Sequence, residues 1–385
     1  MTQKLPWRDF VAVTFSVALL GLGLGSTLPL TALALTARGH GPDVVGWITA
    51  ATALGGVLGT FTAPMATLRW GRRKVMLGCL VLASAAVLPL QYMDALAGWF
   101  ALRFVFGLAM APLFVLGESW INTLASDAIR GRVVATYTTS FTACQVLGPL
   151  LTDGLSHFPG SAFLVCGSIF LLGAPGVMLA RDPQAASPAD AASTGSPTKE
   201  SGTSWLGILR RAPVIIAGTA FFAAFDNIVL SFLPLFALDA GFSQSRALAA
   251  ASIVLAGDAA LQFGIGWLAD HYGRARMHRL CGLAVCVMLP LLPLVVHLPI
   301  AWELYLFLLG GAAGAIYTLS MVASGQIFSG ASLLRAAGLI GLTWNLSSST
   351  APAATGLAMA HFGPAAMVAV LWLLALGFVL VARKA

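Results

Sequence analysis

Two aspartates stand out for their surroundings. Asp226 lies in Phe-Phe-Ala-Ala-Phe-Asp-Asn-Ile-Val-Leu (residues 221–230) and Asp258 in Ile-Val-Leu-Ala-Gly-Asp-Ala-Ala-Leu (residues 253–261), and neither has another charged residue within ten positions. Taking a carboxylate out of water penalises its charge, so an acid in such a run can take up a proton on one side of an apolar barrier and release it on the other. That is the chemistry of proton coupling. Gln262 stands one helical turn from Asp258 and shares its face, and Asn227 follows Asp226 directly. Arg103, Glu118, Tyr137, Gln145, Tyr317, Trp344 and Asn345 are further polar or aromatic residues inside apolar runs, candidates to line a cavity for a solute. The structural alternative for each acid is a protonated or paired carboxyl that only ties helices together.

These residues need elements that can hold them in an apolar medium. Hydrophobic residues make up 58% of the chain and charged residues 9%, with a mean hydropathy of +0.89. A water-soluble domain of that composition would expose a very large apolar surface, so the partner of most of this chain is a lipid bilayer. A span needs roughly 20 apolar residues. By that rule the sequence predicts an all-α membrane protein with about twelve transmembrane helices in two pseudo-symmetric six-helix bundles. The first six cover approximately 10–37, 43–66, 74–93, 96–122, 131–154 and 159–180, and the second six 212–238, 246–269, 277–297, 301–325, 335–358 and 364–382.

The net charge of +7 does not point to nucleic acid, because basic residues punctuate alternate loops and do not gather on one face. Arg69, Arg72, Arg73, Lys74, Arg274, Arg276 and Arg279 fall on one side of the predicted membrane, while the opposite loops hold only Arg38 and Arg246. The positive-inside rule then places both termini in the cytoplasm of a bacterial inner-membrane protein. The first apolar run is longer than the 7–15 residues of a signal-peptide core and contains Pro29, so it is expected to remain as a helix. Cys79, Cys144, Cys166, Cys281 and Cys286 fall in predicted spans without metal-ligand spacing and are expected as small packing residues.

Residues 182–204, rich in Ala, Ser, Pro, Thr and Gly, read as a cytoplasmic linker between an N-terminal bundle of residues 1–181 and a C-terminal bundle of residues 205–385. The two halves repeat weakly. Ser26, Leu28, Pro29 and Leu30 match Ser231, Leu233, Pro234 and Leu235; Gly71-Arg72 matches Gly273-Arg274; Arg132 and Pro149 match Arg335 and Pro352. The nearly constant offset favours duplication, the usual plan of a membrane transporter.

Between predicted helices 8 and 9 stands Gly266-Trp267-Leu268-Ala269-Asp270-His271-Tyr272-Gly273-Arg274. Its glycines turn the chain tightly, and an acid next to a helix N-terminus and an arginine forms a charge cluster that can latch one state of a moving bundle. This stretch resembles the signature loop of the major facilitator superfamily. The first-half counterpart, Pro64 to Arg73, keeps the basic end but carries Leu68 where the family has an acid. Arg103-Phe104-Val105-Phe106-Gly107 is similar to the superfamily's second motif, and Gly148-Pro149 to its antiporter motif, with Cys144 and Thr152-Asp153 in place of three of that motif's glycines. The stretches 103–152 and 310–317 are similar to the YcaD-like branch.

The resemblance implies a monomeric secondary transporter, not an enzyme, that moves a small-molecule solute by rocking one bundle against the other. Gly266, Asp270, Gly273, Arg274, Arg72, Arg132 and Arg335 would then act in gating. A buried Arg103 needs an acid, a carbonyl or the solute as partner. No Gly-x-x-x-x-Gly-Lys loop is present to support ATP drive, so no cofactor is expected beyond the proton as coupling ion. Efflux by antiport is the expected direction. The alternatives are proton-linked import or uniport of a metabolite, and a non-transporting lipid-handling protein or sensor on the same scaffold.

Overall fold

The computed structural model describes residues 6–124, 130–158, 160–181, 205–328 and 330–383, and the linker read at residues 182–204 lies outside them. The described residues are helical almost throughout, as a bilayer demands: backbone N–H and C=O groups find no water there and must pair within their own segment. The first half holds α1 (Trp7–Ala37), α2 (Pro42–Trp70), α3 (Arg72–Val87), α4 (Leu96–Leu124), α5 (Arg130–Ser156), α6 (Ala162–Leu172) and α7 (Ala174–Leu179). The second half holds a short α8 (Trp205–Arg211), then α9 (Pro213–Asp239), α10 (Gln244–Tyr272), α11 (Arg274–Val295), α12 (Pro299–Ile327), α13 (Gly330–Phe362) and α14 (Ala366–Arg383).

Each predicted span has a counterpart, with two local differences. The sixth is broken at Gly173, because Pro175 brings no N–H to a continuous ladder, and the third ends in a 3-10 turn at Leu88–Gln91 that contains Pro89. Ten of the described helical stretches are long and apolar enough to cross a membrane, α6 and α7 counting as one. The long helices α5 and α13 are not among them, being enriched in Thr, Ser, Gln and Asn.

Contacts divide the chain into two compact units, residues 1–27 with 51–200 and residues 28–50 with 201–385. The first unit is built around the fully buried rings of Trp99, Phe106, Trp120 and Phe170. There α1 and α5 meet through small residues: a Cβ on Gly25 would lie 2.4 Å from Gln145 O, and Thr152 Oγ1 donates to Ser26 O at 2.9 Å. In the second unit α9 is the most enclosed helix. The segment 28–50 packs on α13 there, with Gly46 against Pro352 O and Gly356 against Pro42 O.

The weak sequence repeat is sharp in three dimensions. Gly39 and Gly241 both take the left-handed backbone that closes a helix, at φ 82° and 89°, and both closures use the same long bond, His40 N to Leu35 O and Phe242 N to Ala237 O. Gly71 and Gly273 also share a positive φ one loop later, at 81° and 94°, with Gly71 N on Thr67 O and Gly273 N on Ala269 O. The helix crossings repeat as well. In the first unit Gly55 faces Phe104 O and Gly107 faces Thr52 O, where a Cβ would come within 1.9 and 1.7 Å. In the second, Gly257 faces Phe307 O and Gly310 faces Val254 O, each at 1.9 Å. At each of these crossings α2 with α4, or α10 with α12, approaches too closely for any side chain.

Candidate functional site

The tight α10–α12 crossing sets the position of Asp258. Its Oδ1 fills the notch that Gly314 leaves open, where an added Cβ would lie only 1.5 Å away, and Gln262 Nε2 donates to the same oxygen at 2.8 Å. Asp258 is 7% exposed and Asp226, on α9, is 8% exposed. Both acids thus sit inside the second unit. Beside Asp226, Asn227 Nδ2 donates to Ser348 Oγ on α13 and to Ala223 O, each at 3.0 Å, tying α9 to α13.

Three rings from α9, α12 and α13 meet in the second unit. Tyr317 lies three residues beyond Gly314 on α12, and its ring stacks on Phe222 at 5.3 Å and 16°. Trp344 of α13 stands across both, 6.0 Å from Phe222 at 59° and 5.2 Å from Tyr317 at 64°. Phe222 and Tyr317 therefore form one wall and Trp344 a second. Phe222 is one turn before Asp226 on α9, so the aromatic corner has one acid on its own helix and the other beside the adjacent turn of α12. Sequence reasoning placed Tyr317 and Trp344 among the cavity candidates but missed Phe222, one of several phenylalanines in an apolar run with no signal of its own. Asn345, also a candidate, bonds back to Gly341 O of its own helix.

His278 was missed too. It is buried on α11 with Nε2 3.0 Å from Ile316 O and 3.2 Å from Ser320 Oγ, and its ring lies 4.9 Å from that of Phe378. Its place in a run with Arg274, Arg276 and Arg279 disguised it as one more basic loop residue.

In the first unit the Tyr137 hydroxyl of α5 comes against Gly117 of α4, the neighbour of Glu118. Arg103 is fully buried, and the expected acid, carbonyl or other hydrogen-bonding partner is not there: Nε, Nη1 and Nη2 have none among the described residues, and the guanidinium lies 5.0 Å over the Phe106 ring. A ring face supplies part of what a buried cation loses in leaving water. Tyr137 and Gln145 are buried on α5, and Glu118 is exposed on α4.

At the loops, Asp270 Oδ1 accepts from Arg274 Nε at 2.9 Å and Nη2 at 2.7 Å, a forked pair on the surface. Gly273 makes the turn, while Gly266 has open space around it. Arg72, the counterpart of Arg274, behaves differently: it is buried, 5.7 Å over the Trp120 ring, with Nη1 3.4 Å from Thr123 Oγ1. With Leu68 in the acid's place there is no carboxylate one turn back to hold it at the surface. Arg335 is half-buried in α13, and the side chain of Arg132 lies outside the described residues.

A family model, Major Facilitator Superfamily, matches residues 13–257. The chain belongs to the major facilitator superfamily. It is a multi-pass membrane transporter, not an enzyme, and it is similar to the YcaD-like transporters to which residues 103–152 and 310–317 pointed. It is 26% identical over 319 residues to the MFS-type transporter YcaD of Escherichia fergusonii, covering 83% of this chain and 80% of that one. Two solved superfamily members share the fold. The D-xylose-proton symporter superposes with a TM-score of 0.79 over 99% of this chain and 98% of its own, at 17% identity. The D323A mutant of the nucleoside transporter NupG has a TM-score of 0.79 over 99% of both chains, at 13% identity. Superfamily transporters handle small solutes within the membrane, require no cofactor and usually work as monomers.

Proposed function

We propose that this protein is a proton-coupled secondary transporter that exports a small organic solute in exchange for protons, by alternating access. The observation that carries the reading is the pair of carboxyls, Asp226 and Asp258, each buried in the middle of a helix of the second unit. Ionisable groups at such depth are costly and mark ion pathways when they persist. A proton taken up from the outer side neutralises one carboxyl, which removes the penalty for closing a dry cavity around it. Solute occupancy and protonation together then set which state has the lower free energy, and release of the proton inside resets the cycle. Asp270 and Arg274 latch one state by their forked ion pair.

In this reading both termini are cytoplasmic, the membrane is the bacterial inner membrane, the protein acts as a monomer, and residues 182–204 link bundles of residues 1–181 and 205–385. Proton-linked uptake is the second reading, and the fold shared with a D-xylose-proton symporter favours it. Purified protein in liposomes carrying a pH dye tests both. A solute pulse is expected to move protons against the solute for exchange and with it for uptake, and Asp226→Asn or Asp258→Asn should abolish uphill accumulation while counterflow persists. Undiminished uphill transport in both variants would exclude the coupling role.

A further inference from the structure

We infer that the groove between α11 and α14 in the second unit is a binding site for one acyl chain of a bilayer lipid. The inference goes beyond the proposed transport function, since the ligand is a membrane component and not the solute. It rests only on the chain's being a multi-pass membrane protein.

The groove follows from the residues of its walls. Pro290 and Pro293 line it from α11, and Ala365, Val368, Ala369 and Trp372 line it from the start of α14, around a cavity of about 300 Å³. A proline brings no N–H and sets its ring against the preceding turn, which bends a helix. Alanines on the facing wall are too short to close the gap. Trp372 marks the far end: its Nε1 donates at 3.0 Å to Cys286 O, the carbonyl to which Pro290 cannot donate.

Three observations select the occupant. The first is chemistry: the lining side chains are apolar, and the one polar atom among them, Trp372 Nε1, is already bonded. Water needs two to four polar partners to stay in a cavity, and a charged or polar solute would find none either. The second is continuity with lipid. α11 and α14 are the least enclosed of the ten membrane-crossing stretches, and Val287, Leu291, Leu294 and Leu373 stand exposed on the same two helices. In a multi-pass membrane protein such a surface meets acyl chains. The third is length and position. About 10 Å of helix rise separates Ala365 from Trp372, against roughly 30 Å for the whole hydrocarbon core, so the groove fits within one leaflet. It opens where α11 ends and α14 begins, with exposed His297 and His361 in the adjoining chain at the level of a headgroup. An unfilled groove would cost its walls their dispersion contacts. Lipid tails are as apolar as leucine, so preference for the groove over open bilayer comes from fit and not from the hydrophobic effect.

The test is photolabelling of the full-length protein in nanodiscs of dioleoylphosphatidylcholine, doped with the same lipid carrying a diazirine midway along one acyl chain and mapped by mass spectrometry. Labelling within residues 290–294 and 365–373 is expected to exceed that at Val81 and Leu82, an exposed apolar pair on α3, by about five-fold or more. Ala369→Phe, which fills the groove with a ring, should cut groove labelling about five-fold and leave labelling of α3 unchanged. Labelling no higher in the groove than on α3 would overturn the assignment, and so would undiminished groove labelling in Ala369→Phe at the wild-type melting temperature. If Ala369→Phe does not fold, Ala365→Leu decides by the same comparison. A dimer in native mass spectrometry that Ala369→Phe separates would give the groove to a second copy and equally overturn it. No solute or gradient is involved, so failure of transport in liposomes leaves this result standing, and the converse also holds.

Discussion

Replacing Gly314 with alanine tests how the α10–α12 crossing holds the buried acid. The new Cβ would lie 1.5 Å from Asp258 Oδ1, 2.3 Å from Cγ and 3.1 Å from Cβ, whereas ordinary contact begins at 3.4 Å, so the oxygen must retreat by about 2 Å. Such a move breaks the 2.8 Å bond from Gln262 Nε2. Overpacking of this kind costs about 1–3 kcal/mol, and losing a buried hydrogen bond to a carboxyl adds about 1 kcal/mol or more. Against this, alanine favours a helix over glycine by about 1 kcal/mol. Destabilisation wins by about 1–3 kcal/mol.

Two readouts check it in detergent-purified protein. The melting temperature should fall, and labelling of Asp258 by dicyclohexylcarbodiimide, followed by mass spectrometry, should rise as the carboxyl leaves its notch. Gly310→Ala should melt lower still, because its Cβ meets the backbone oxygen of Val254 at 1.9 Å and no side chain can rotate away. Gly78→Ala on α3, with nothing within 4 Å, should melt at the same temperature or higher. Wild-type melting and wild-type labelling in Gly314→Ala would refute the account of how Asp258 is held.

Gly59 faces Leu108 O in the first unit, whereas the matching crossing of the second puts Leu261 against Gly311, the large and small residues exchanged. Gly59→Leu should destabilise strongly, because its Cβ would lie 2.5 Å from Leu108 O and 3.0 Å from Pro112 Cδ, and adding Leu108→Gly, which leaves that backbone oxygen in place, should recover little of the melting temperature; wild-type melting in either variant would refute the account of this crossing. Pro290 cannot donate to Cys286 O one turn back, and Trp372 Nε1 does so at 3.0 Å. Trp372→Phe should lower stability by about 1–3 kcal/mol, and the loss should shrink in a Pro290→Ala background, with additivity in the double-mutant cycle as the contrary result. The Asp270–Arg274 pair is exposed, so Asp270→Asn is expected to change melting by under about 1 kcal/mol while altering the rate of exchange; a large stability loss would make the pair structural.

The extent of the helices was legible in the sequence because a bilayer imposes one rule on every span: enough apolar residues, and all backbone bonds made within the segment. Asp226 and Asp258 were legible for the same reason, since a charge in a long apolar run needs no context to be conspicuous. The duplication could be glimpsed from a few matching residues such as Gly71 and Gly273. The fate of Arg103 was not legible, because whether an arginine meets a carboxylate or an aromatic face depends on which helices lie alongside. Phe222 and Gly314 were silent for a related reason: a phenylalanine or glycine in a membrane helix is commonplace, and only its neighbours across the crossing give it a role.

By itself, the sequence determined the extent of the apolar spans, the presence of two acids inside them and the membership of a transporter superfamily, all consequences of composition and order along the chain. Only the tertiary structure decided that Gly314 makes room for Asp258 and that rings from α9, α12 and α13 meet at one place. Those are facts about distances between segments far apart in the chain, set by how closely glycine lets two helices approach.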